Sequence, residues 1–552
     1  LEGLRNLEYR GYDSAGISVF EDGVIRTVKS QGRIQKLEEK LAFSPLTGTC
    51  GIAHTRWATH GVPSDINAHP HRSDHVSLLH NGIIENYLEL KEELIAKGYH
   101  FVSQTDTEVA AHLISSLYEG DPLQAISKAL ARIEGSYAFA ILFDDHPDRV
   151  YGARKDSPLI AAVGQGENFI LSDISATLKY TKDYYVLEDG DIVEISPEAI
   201  HIYDSSLSPV SRELSHAHWN VEQAQKGGFD HFMLKEIYEQ PEAFSKTVVP
   251  HVKDGLPNFE RDEIPEDFFE NRRHIQIVAC GTAMYAGTVG KNLIERFARI
   301  PVSVDVASEY RYNNPIVGPG DLVIVISQSG ETADTLAALR LAKQKGADTL
   351  GVINVIGSSI AREADHVMYT LAGPEIAVAT TKAYSTQLIC MYLLSMHMAR
   401  VRGEMEDSTF ESMMDELMRL PEKIADVLSN KERIQWFANK FASARDIFFI
   451  GRGLDYAICQ EGSLKMKEIS YVHSEAYAAG ELKHGTISLI EDGTLVIGLL
   501  TQSNLSEKTL SNMQEVKSRG AYLMGVTENG NYYLEYMVDF VVYTPKKDPH
   551  FT

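Results

Sequence analysis

Cysteines, long apolar runs and targeting signals are all scarce in this 552-residue chain. The four cysteines (Cys50, Cys280, Cys390 and Cys459) form no CxxC pair, which argues against a disulfide framework or a structural zinc site. No apolar run approaches the ~18 residues of a membrane span, and the first residues do not resemble a signal peptide. We therefore expect a cytoplasmic protein that does not enter a membrane.

Basic residues are also in short supply. Lysine and arginine total 52 against 77 aspartates and glutamates, which gives a net charge of −25. A protein that binds the nucleic-acid backbone needs basic stripes, and the sequence has none, so we do not expect a nucleic-acid partner. Any phosphorylated ligand must be held by local groups against the overall negative field.

The two ends of the sequence look incomplete. The chain begins inside an amphipathic helical pattern (Leu1, Leu4, Leu7) without an initiator methionine. It stops soon after a strand-like apolar run at residues 538–543. We therefore expect further residues at both ends of the complete protein.

The residue pattern divides the chain into blocks. Residues 1–215 contain short strand patterns between Gly, Asn and Asp turns, which predicts an α+β domain with mostly antiparallel pairing. Residues 216–240 lose this rhythm and are predicted to be a linker. From residue 241, apolar strands alternate with long helical stretches, which predicts parallel, doubly wound α/β sheets.

The second half of the chain repeats itself. Residues 327–329 (Ser-Gln-Ser) recur 174 positions later as residues 501–503 (Thr-Gln-Ser), and threonines and glycines further along recur at the same offset. One fixed offset over several matches indicates a duplication. The sequence therefore predicts two copies of one doubly wound domain, at residues 241–425 and 430–552.

A polar turn in the first copy is a candidate phosphate site. Residues 327–332 (Ser-Gln-Ser-Gly-Glu-Thr) precede a helix predicted to begin near Ala333. Unpaired N–H groups at a helix N-terminus and nearby hydroxyls bind phosphate, and Gly330 allows a close approach. Simple capping of the helix is the alternative. Asn504 replaces this glycine in the second copy, so we expect a sugar phosphate only in the first.

Three motifs link this half to a known family: residues 280–282 (Cys-Gly-Thr), residues 327–332, and residues 475–485 (Glu-Ala-Tyr-Ala-Ala-Gly-Glu-Leu-Lys-His-Gly). They resemble the sugar isomerase (SIS) modules of the glucosamine-6-phosphate synthase family. Ala283 stands where that family usually has serine. The resemblance implies a set of sugar-phosphate contacts: Thr282, Ser327, Gln328, Ser329, Thr332, Val378 and Thr380.

The same resemblance implies catalytic roles for Glu468, Lys465 and His484. Glu468 would move a proton between adjacent sugar carbons, a task that suits a carboxylate shielded from water, and His484 would open the sugar ring. The alternatives are a solvated helical Glu468 paired with Lys465 or Lys467, and a turn residue at His484. In the family this histidine reaches a neighbouring subunit's site, so a homodimer is expected.

The N-terminal block points to glutamine chemistry. Glutamine presents an α-carboxylate, an α-ammonium and an amide. Arg56 can bind the carboxylate as a bidentate fork, and Asp106 can pair with the ammonium. Asn81 and the backbone N–H of Gly82 can stabilise the oxyanion that forms when the amide is attacked.

Histidines are numerous in the same block: His54, His60, His69, His71 and His80. Such a group could suggest a metal site. However, their spacings fit no helical zinc motif, and no carboxylates are grouped with them. We expect neither a metal nor another cofactor.

Residues 51–61 (Gly-Ile-Ala-His-Thr-Arg-Trp-Ala-Thr-His-Gly), 67–71, 80–86 and 105–108 resemble the glutaminase domain of class II amidotransferases. That domain is an N-terminal-nucleophile fold of two stacked antiparallel sheets with helices outside. The resemblance implies a set of glutamine contacts: Arg56, Thr59, His60, Asn81, Gly82 and Asp106. It also implies that Arg10 and Gly11 lie beside the nucleophile and that Trp57 gates the path of ammonia.

Two residues on which the family depends are absent from this sequence. One is an N-terminal cysteine nucleophile that is activated by its own α-amine, and the other is a C-terminal lysine that opens the sugar as a Schiff base. We therefore expect the 552 residues alone to make no amino sugar.

Together, the resemblances imply an enzyme with L-glutamine and fructose 6-phosphate as substrates. It would hydrolyse glutamine, pass ammonia internally and convert fructose 6-phosphate to glucosamine 6-phosphate, the first step of hexosamine synthesis. One alternative is a catalytically inactive sugar-phosphate-binding regulator with the same fold. Another is an amidotransferase acting on a phosphoribosyl acceptor, which the duplicated isomerase modules exclude.

Overall fold

The computed structural model describes residues 1–8, 11–58, 60–217 and 226–551. The chain divides into two compact units, Leu1–Gln225 and Lys226–Thr552. Within the described ranges, no helix combines the length and apolar character that a membrane crossing requires.

The first unit is rich in short strands, as its turn-rich sequence predicts. Its helices are α1 (Glu2–Leu7), α2 (Ile34–Phe43), α3 (Tyr87–Ala96), α4 (Asp106–Ser116) and α5 (Pro122–Leu130). Its strands are β1 (Ser14–Glu21), β2 (Val24–Gln31), β3 (Cys50–Arg56), β4 (His71–Arg72), β5 (Val76–Ile84), β6 (Gly135–Phe143), β7 (Val150–Lys155), β8 (Ile160–Val163), β9 (Asn168–Leu171), β10 (Asp183–Val186), β11 (Ile192–Ile195), β12 (Ile200–Tyr203) and β13 (Leu214–His216).

These strands form three antiparallel sheets, in the orders β2-β1-β3, β13-β10-β8-β9 and β12-β11-β7-β6-β5-β4. Strand β6 shows how they are layered, because alternate side chains of a strand point to opposite faces. Phe139 and Ile141 pack in a core with α3, α4 and α5, whereas Ala138 and Ala140 pack against the two smaller sheets. The fold is thus the expected sandwich with helices outside, but one of its two layers is split into two sheets.

The second unit alternates strands and helices. Its helices are α6 (Phe232–Val248), α7 (Gly281–Phe297), α8 (Ala307–Tyr310), α9 (Ala333–Gln344), α10 (Ser359–Glu363), α11 (Lys382–Val401), α12 (Asp407–Ser429), α13 (Lys431–Lys440), α14 (Leu454–Ser470) and α15 (Ser506–Lys517). Its strands are β14 (Val252–Lys253), β15 (Leu256–Pro257), β16 (Ile275–Ala279), β17 (Val302–Val306), β18 (Leu322–Ser327), β19 (Asp348–Ile353), β20 (His366–Tyr369), β21 (Asp446–Gly451), β22 (His473–Ala478), β23 (Leu495–Leu500), β24 (Tyr522–Glu528) and β25 (Phe540–Thr544).

Two five-stranded parallel sheets of identical topology organise this unit. Their orders are β17-β16-β18-β19-β20 and β22-β21-β23-β24-β25. Every residue of β18 is buried, as expected for a central strand covered by helices on both faces. The matching strand orders confirm the duplication predicted from the 174-residue offset.

Helix α14 joins the two copies. It follows the first strand of the second sheet, yet its residues Leu454 and Ala457 belong to the hydrophobic core of the first copy, and it packs against α7. Side chains of the second copy are thereby placed near the first sheet.

The predicted linker at residues 216–240 is too long at its C-terminal end, because α6 already begins at Phe232. Pro241 inside this helix makes the sequence resemble a connector. The carbonyl of Ile237 would normally accept from the N–H that proline lacks, and it accepts instead from Gln240 Nε2 at 3.2 Å. Burial of Phe244, Thr247 and Val248 holds the helix in place.

Candidate active site

A cavity of about 250 Å³ lies at the carboxyl ends of β16 and β18. Ligands of open α/β sheets bind at this edge. The cavity is lined by Cys280, Thr282, Ala283, Ile326, Ser327, Gln328, Ser329, Thr332, Val378, Thr380, Gln387, Lys465 and Glu468. The structure therefore brings together all seven residues predicted to contact the sugar phosphate, along with two of the three predicted catalytic residues.

The polar turn after β18 is organised by its own hydroxyls. Ser327 Oγ accepts from the backbone N–H of Gly330 at 3.0 Å and lies 3.0 Å from Thr332 Oγ1. Ser329 Oγ accepts from the N–H of Glu331 at 3.2 Å. Helix α9 begins at Ala333, as predicted, and the Thr332 side chain makes no capping hydrogen bond to it. The Thr332 hydroxyl is therefore not used to cap helix α9.

Gly330 is required for steric reasons. Its φ is +65°, a left-handed conformation that favours glycine. A Cβ atom there would fall 1.9 Å from Ser358 Oγ. Any larger residue would have to displace the loop that holds Ser358, and the turn would change shape.

Helix α14 contributes Lys465 and Glu468 to the lining of this cavity. Lys465 Nζ lies 2.5 Å from Glu468 Oε2 and 3.5 Å from Glu461 Oε1. Thr282 Oγ1, on α7, donates to Glu461 Oε1 at 3.1 Å. The ion pair between Glu468 and Lys465 that was considered as an alternative is present, and both of its members also line the cavity.

Glu461 is the residue that the sequence analysis missed. It is only 5% exposed, and burial raises its pKa to about 7, although Lys465 and the bond from Thr282 oppose that rise. Glu468 keeps 34% of its side chain exposed. The carboxylate most shielded from water is therefore Glu461 rather than Glu468. Its spacing of four residues from Lys465 on one helical face was the available signal.

His484 does not line the cavity of its own chain. It lies in a turn after β22 with an exposed side chain, and its backbone N–H donates to Glu481 O at 2.9 Å. Within the described part of this chain, the structure thus places His484 apart from Glu468 and Lys465.

The matching turn of the second copy already holds an anion from the protein. Asp455 Oδ2 accepts from the N–H groups of Thr501 at 2.9 Å and Gln502 at 3.2 Å, and Oδ1 accepts from the Thr501 hydroxyl at 2.5 Å. Asp455 is buried, and burial raises its pKa. This carboxylate gives a physical reason, beyond the change of Gly330 to Asn504, for the prediction that only the first copy accepts a phosphate.

In the first unit, Arg56 ends β3 and Asp106 begins α4, and both are buried. Burial lowers the pKa of Arg56, while the negative charge of Asp106 opposes that change. The guanidinium donates to the carbonyl oxygens of His60 and, at 3.4 Å, of Gly61. Some of the Arg56 N–H groups that were predicted to bind a carboxylate are therefore bonded to carbonyl oxygens of the protein itself.

Asn81 and Gly82 lie near Asp106 at the end of β5. Asp106 Oδ2 accepts from the N–H of Ile84 at 2.9 Å and lies 3.9 Å from Nδ1 of the buried His80. Gly82 has a φ of +142°, and a Cβ there would fall 2.2 Å from Ser136 O. Asn81 is exposed. The predicted oxyanion donors and the predicted ammonium partner are thus close together.

Gly11 and Trp57 are also neighbours. A Cβ on Gly11 would fall 2.6 Å from Trp57 N and from the carbonyl carbon of Arg56. The Trp57 ring is half-exposed and contacts Tyr12 edge-on, with ring centroids 5.2 Å apart. The ring of His60 contacts Tyr87 in the same way at 5.7 Å. The other two predicted residues, Arg10 and Thr59, lie outside the described residues.

Four of the histidines form a group, of which His69, His71 and His80 are buried and His54 is half-buried. Burial lowers the pKa of each, to about 3 for His54 and His71, so they are neutral at physiological pH. His54 and His69 stack at 4.6 Å. Among the described residues, no group of three or more histidines, cysteines or carboxylates is arranged to hold a metal ion.

A larger cavity, of about 460 Å³, lies near the amino ends of β16 and β17, beside Arg273, Tyr310 and Ile316. It is at the edge where strands begin. Phosphate-binding turns occur at the opposite edge. It is therefore a poorer candidate for the substrate site than the smaller cavity.

Comparison with known proteins agrees with the division of the chain into two units. A family model described as "Glutamine amidotransferase domain" matches residues 54–179, and one described as "SIS domain" matches residues 268–396 and 440–552. Two relatives are named glutamine–fructose-6-phosphate aminotransferase (isomerizing). The one from Caldanaerobacter subterraneus subsp. tengcongensis is 54% identical, and the one from Clostridium tetani is 52% identical. Each alignment covers 99% of this chain and 90% of the relative.

The chain belongs to the glutamine–fructose-6-phosphate aminotransferase family.

The fold of a solved structure also supports membership of this family. It is the C-terminal domain of glucosamine-fructose-6-phosphate aminotransferase from Francisella tularensis, which is 38% identical with a TM-score of 0.57. The match covers 59% of this chain and 92% of that domain. The aminotransferase family thus accounts for both units, with the sugar isomerase modules in the second.

Proposed function

We propose that the full-length protein that contains these 552 residues catalyses the glutamine-dependent conversion of fructose 6-phosphate to glucosamine 6-phosphate. The observation that supports it best is a cavity lined both by the hydroxyls of the turn at residues 327–332 and by the ion pair of Lys465 with Glu468. A pure sugar-phosphate sensor would need the hydroxyls but neither the Glu468 carboxylate nor the buried Arg56 and Asp106 of the first unit. An enzyme therefore fits better than a regulator.

In the first unit, glutamine would be bound by its charged ends. Arg56 pairs with the α-carboxylate and Asp106 with the α-ammonium. The family resemblance adds contacts from His60 and from Thr59, which lies outside the described residues. Asn81 and the N–H of Gly82 stabilise the oxyanion. Hydrolysis of the amide consumes one water and yields glutamate and ammonia.

In the second unit, the turn at residues 327–332 and Thr282 would hold the phosphate, while Val378 and Thr380 line the sugar. Ammonia adds to the C2 carbonyl and water leaves, which gives an imine. Glu468 then removes a proton from C1 and returns one to C2, while the proton of the C1 hydroxyl passes to the imine nitrogen, so that the product is a 2-amino aldose. Lys465 holds the carboxylate in place through their short ion pair.

The exposed position of His484, outside its own chain's cavity, supports a homodimer in which His484 of a second copy completes the site. A histidine can act near neutral pH as the group that opens the sugar ring. This role for His484 depends on association of two chains.

The function is tested by two assays on the full-length enzyme. Glutamate release and glucosamine 6-phosphate formation are measured with both substrates present. We expect the two products in equal amounts. Glutamate release without any amino sugar would contradict the proposal.

The sugar phosphate is expected to bind at one site per chain. Ser329→Ala should weaken fructose 6-phosphate binding, because it removes a hydrogen bond to a charged group that contributes about 1.5–3 kcal/mol, or roughly 10- to 150-fold in affinity. Calorimetry measures both stoichiometry and affinity. Ser503→Ala, at the matching position of the second copy, is the control and should change neither. Two equivalent sites per chain, or equal effects of the two substitutions, would contradict the assignment.

A further inference from the structure

The segment between β20 and α11, residues 370–381, forms one wall of the sugar cavity. It places Val378 and Thr380 in the lining but contains no helix or strand. A segment of this kind makes few backbone hydrogen bonds of its own, so its position depends on partners elsewhere.

Two carboxylates hold this segment by its backbone. Glu236 on α6 accepts from the N–H of Ile376 at 2.5 Å and from the N–H of Ala377 at 3.1 Å. Glu375, within the segment, accepts from the N–H groups of Thr381 at 2.8 Å and Ala383 at 3.1 Å. Val378 and Thr380 lie between these two anchored points.

Helix α6 continues the attachment along its next turn. Glu239 Oε2 lies 2.7 Å from Lys382 Nζ, and Gln240 bonds to the hydroxyl of Ser385, both at the start of α11. The helix is itself packed against α11 and α12. Glu236 therefore extends from a firmly packed helix to a segment that lacks regular structure.

Burial disfavours the charged form of Glu236. It is 2% exposed, and burial raises its pKa to about 7, so its charged form is destabilised despite three short backbone contacts. A neutral glutamine of the same size would avoid that penalty and could still accept a hydrogen bond. What Glu236 provides to the cavity wall is its contact to the N–H groups of Ile376 and Ala377, next to Val378.

We infer that Glu236 is a positioning residue for the sugar, which fixes Val378 and Thr380 at the correct distance from the phosphate-binding turn. Glu236 lines neither the cavity nor the turn, so it acts through the segment that it holds. The inference rests on the proposed function, because it takes fructose 6-phosphate as the ligand of this cavity.

The test compares Glu236→Gln and Glu236→Ala with Glu242→Gln in the full-length enzyme. Glu242 is on the same helix, exposed and paired with Lys246, so it is a matched control. We expect Glu236→Ala to weaken fructose 6-phosphate binding about 10-fold or more by calorimetry, and Glu236→Gln to have a smaller effect. Competition by inorganic phosphate should be unchanged in both, since the phosphate turn is not held by Glu236.

Thermal unfolding separates positioning from folding. Glu236→Gln should unfold at or above the wild-type temperature at pH 8, where the wild-type carboxylate is charged. If the Ala variant does not fold, the fructose 6-phosphate affinity of the Gln variant alone tests the inference. A folded Gln variant with wild-type affinity for fructose 6-phosphate would overturn the inference, as would equal losses of affinity for the sugar and for inorganic phosphate. Failure of the proposed function would be recognised separately, because the wild type would then form no glucosamine 6-phosphate.

Discussion

Replacing Glu468 by glutamine is expected to abolish amino-sugar formation while glutamine hydrolysis continues. The amide has the same size as the carboxylate but cannot accept the C1 proton, and a positioned acid–base group typically contributes about 10²- to 10⁴-fold to a rate. We therefore expect glucosamine 6-phosphate formation by the full-length enzyme to fall by at least about 100-fold. Fructose 6-phosphate binding should change little, because Lys465 keeps Glu461 as a second partner at 3.5 Å.

Glu507→Gln is a suitable control for this substitution, since Glu507 is an exposed residue in the first turn of α15. Glutamate release and amino-sugar formation are measured side by side. A normal rate of glucosamine 6-phosphate formation by the Glu468 variant would remove Glu468 from the mechanism. Glu461, the better buried carboxylate, would then be the first residue to examine.

Replacing Arg56 by alanine is expected to impair glutamine hydrolysis while fructose 6-phosphate binding is kept. It removes the proposed contact to the glutamine carboxylate, a charge-assisted interaction, and leaves Asp106 to attract only the ammonium. The loss should be on the order of 2–4 kcal/mol, or roughly 30- to 1000-fold in kcat/KM for glutamine. Fructose 6-phosphate binding, which is measured by calorimetry, should be unaffected.

Arg56 also bonds the carbonyl oxygens of His60 and Gly61, so its removal can disturb the loop that follows β3. Arg56→Lys addresses this point because it keeps the charge but loses the planar fork, and we expect an intermediate kcat/KM. Arg72→Ala, which removes a partly exposed ion pair with Asp144, is the control and should stay within about twofold of wild type. Glutamate release at the wild-type rate from Arg56→Ala would refute the glutamine assignment.

The sequence predicted the architecture well where a regular pattern repeats. Buried β18 and helix α9 at Ala333 follow from apolar runs and turn residues, and the two parallel sheets follow from the constant offset. Nine of the thirteen residues that line the cavity were also named in advance, through the family resemblance rather than through local patterns.

What the sequence could not provide were contacts between distant segments. The burial of Glu461 depends on α14 packing against α7, and nothing local distinguishes it from a solvated helical glutamate. The early start of α6 was hidden by Pro241, whose effect is offset by the Gln240 side chain. The division of one sandwich layer into two sheets likewise depends on long-range pairing, to which local patterns are insensitive.

The Asp455 carboxylate in the second copy also bears on how the protein responds to metabolite levels. A ligand that is part of the chain has an effective concentration far above that of any dissolved competitor. We therefore expect the Asp455 carboxylate to exclude a sugar phosphate from the N–H groups of Thr501 and Gln502, whether sugar phosphates in solution are scarce or abundant. We expect only the first module to change occupancy with supply, so that each chain titrates with substrate as a single site.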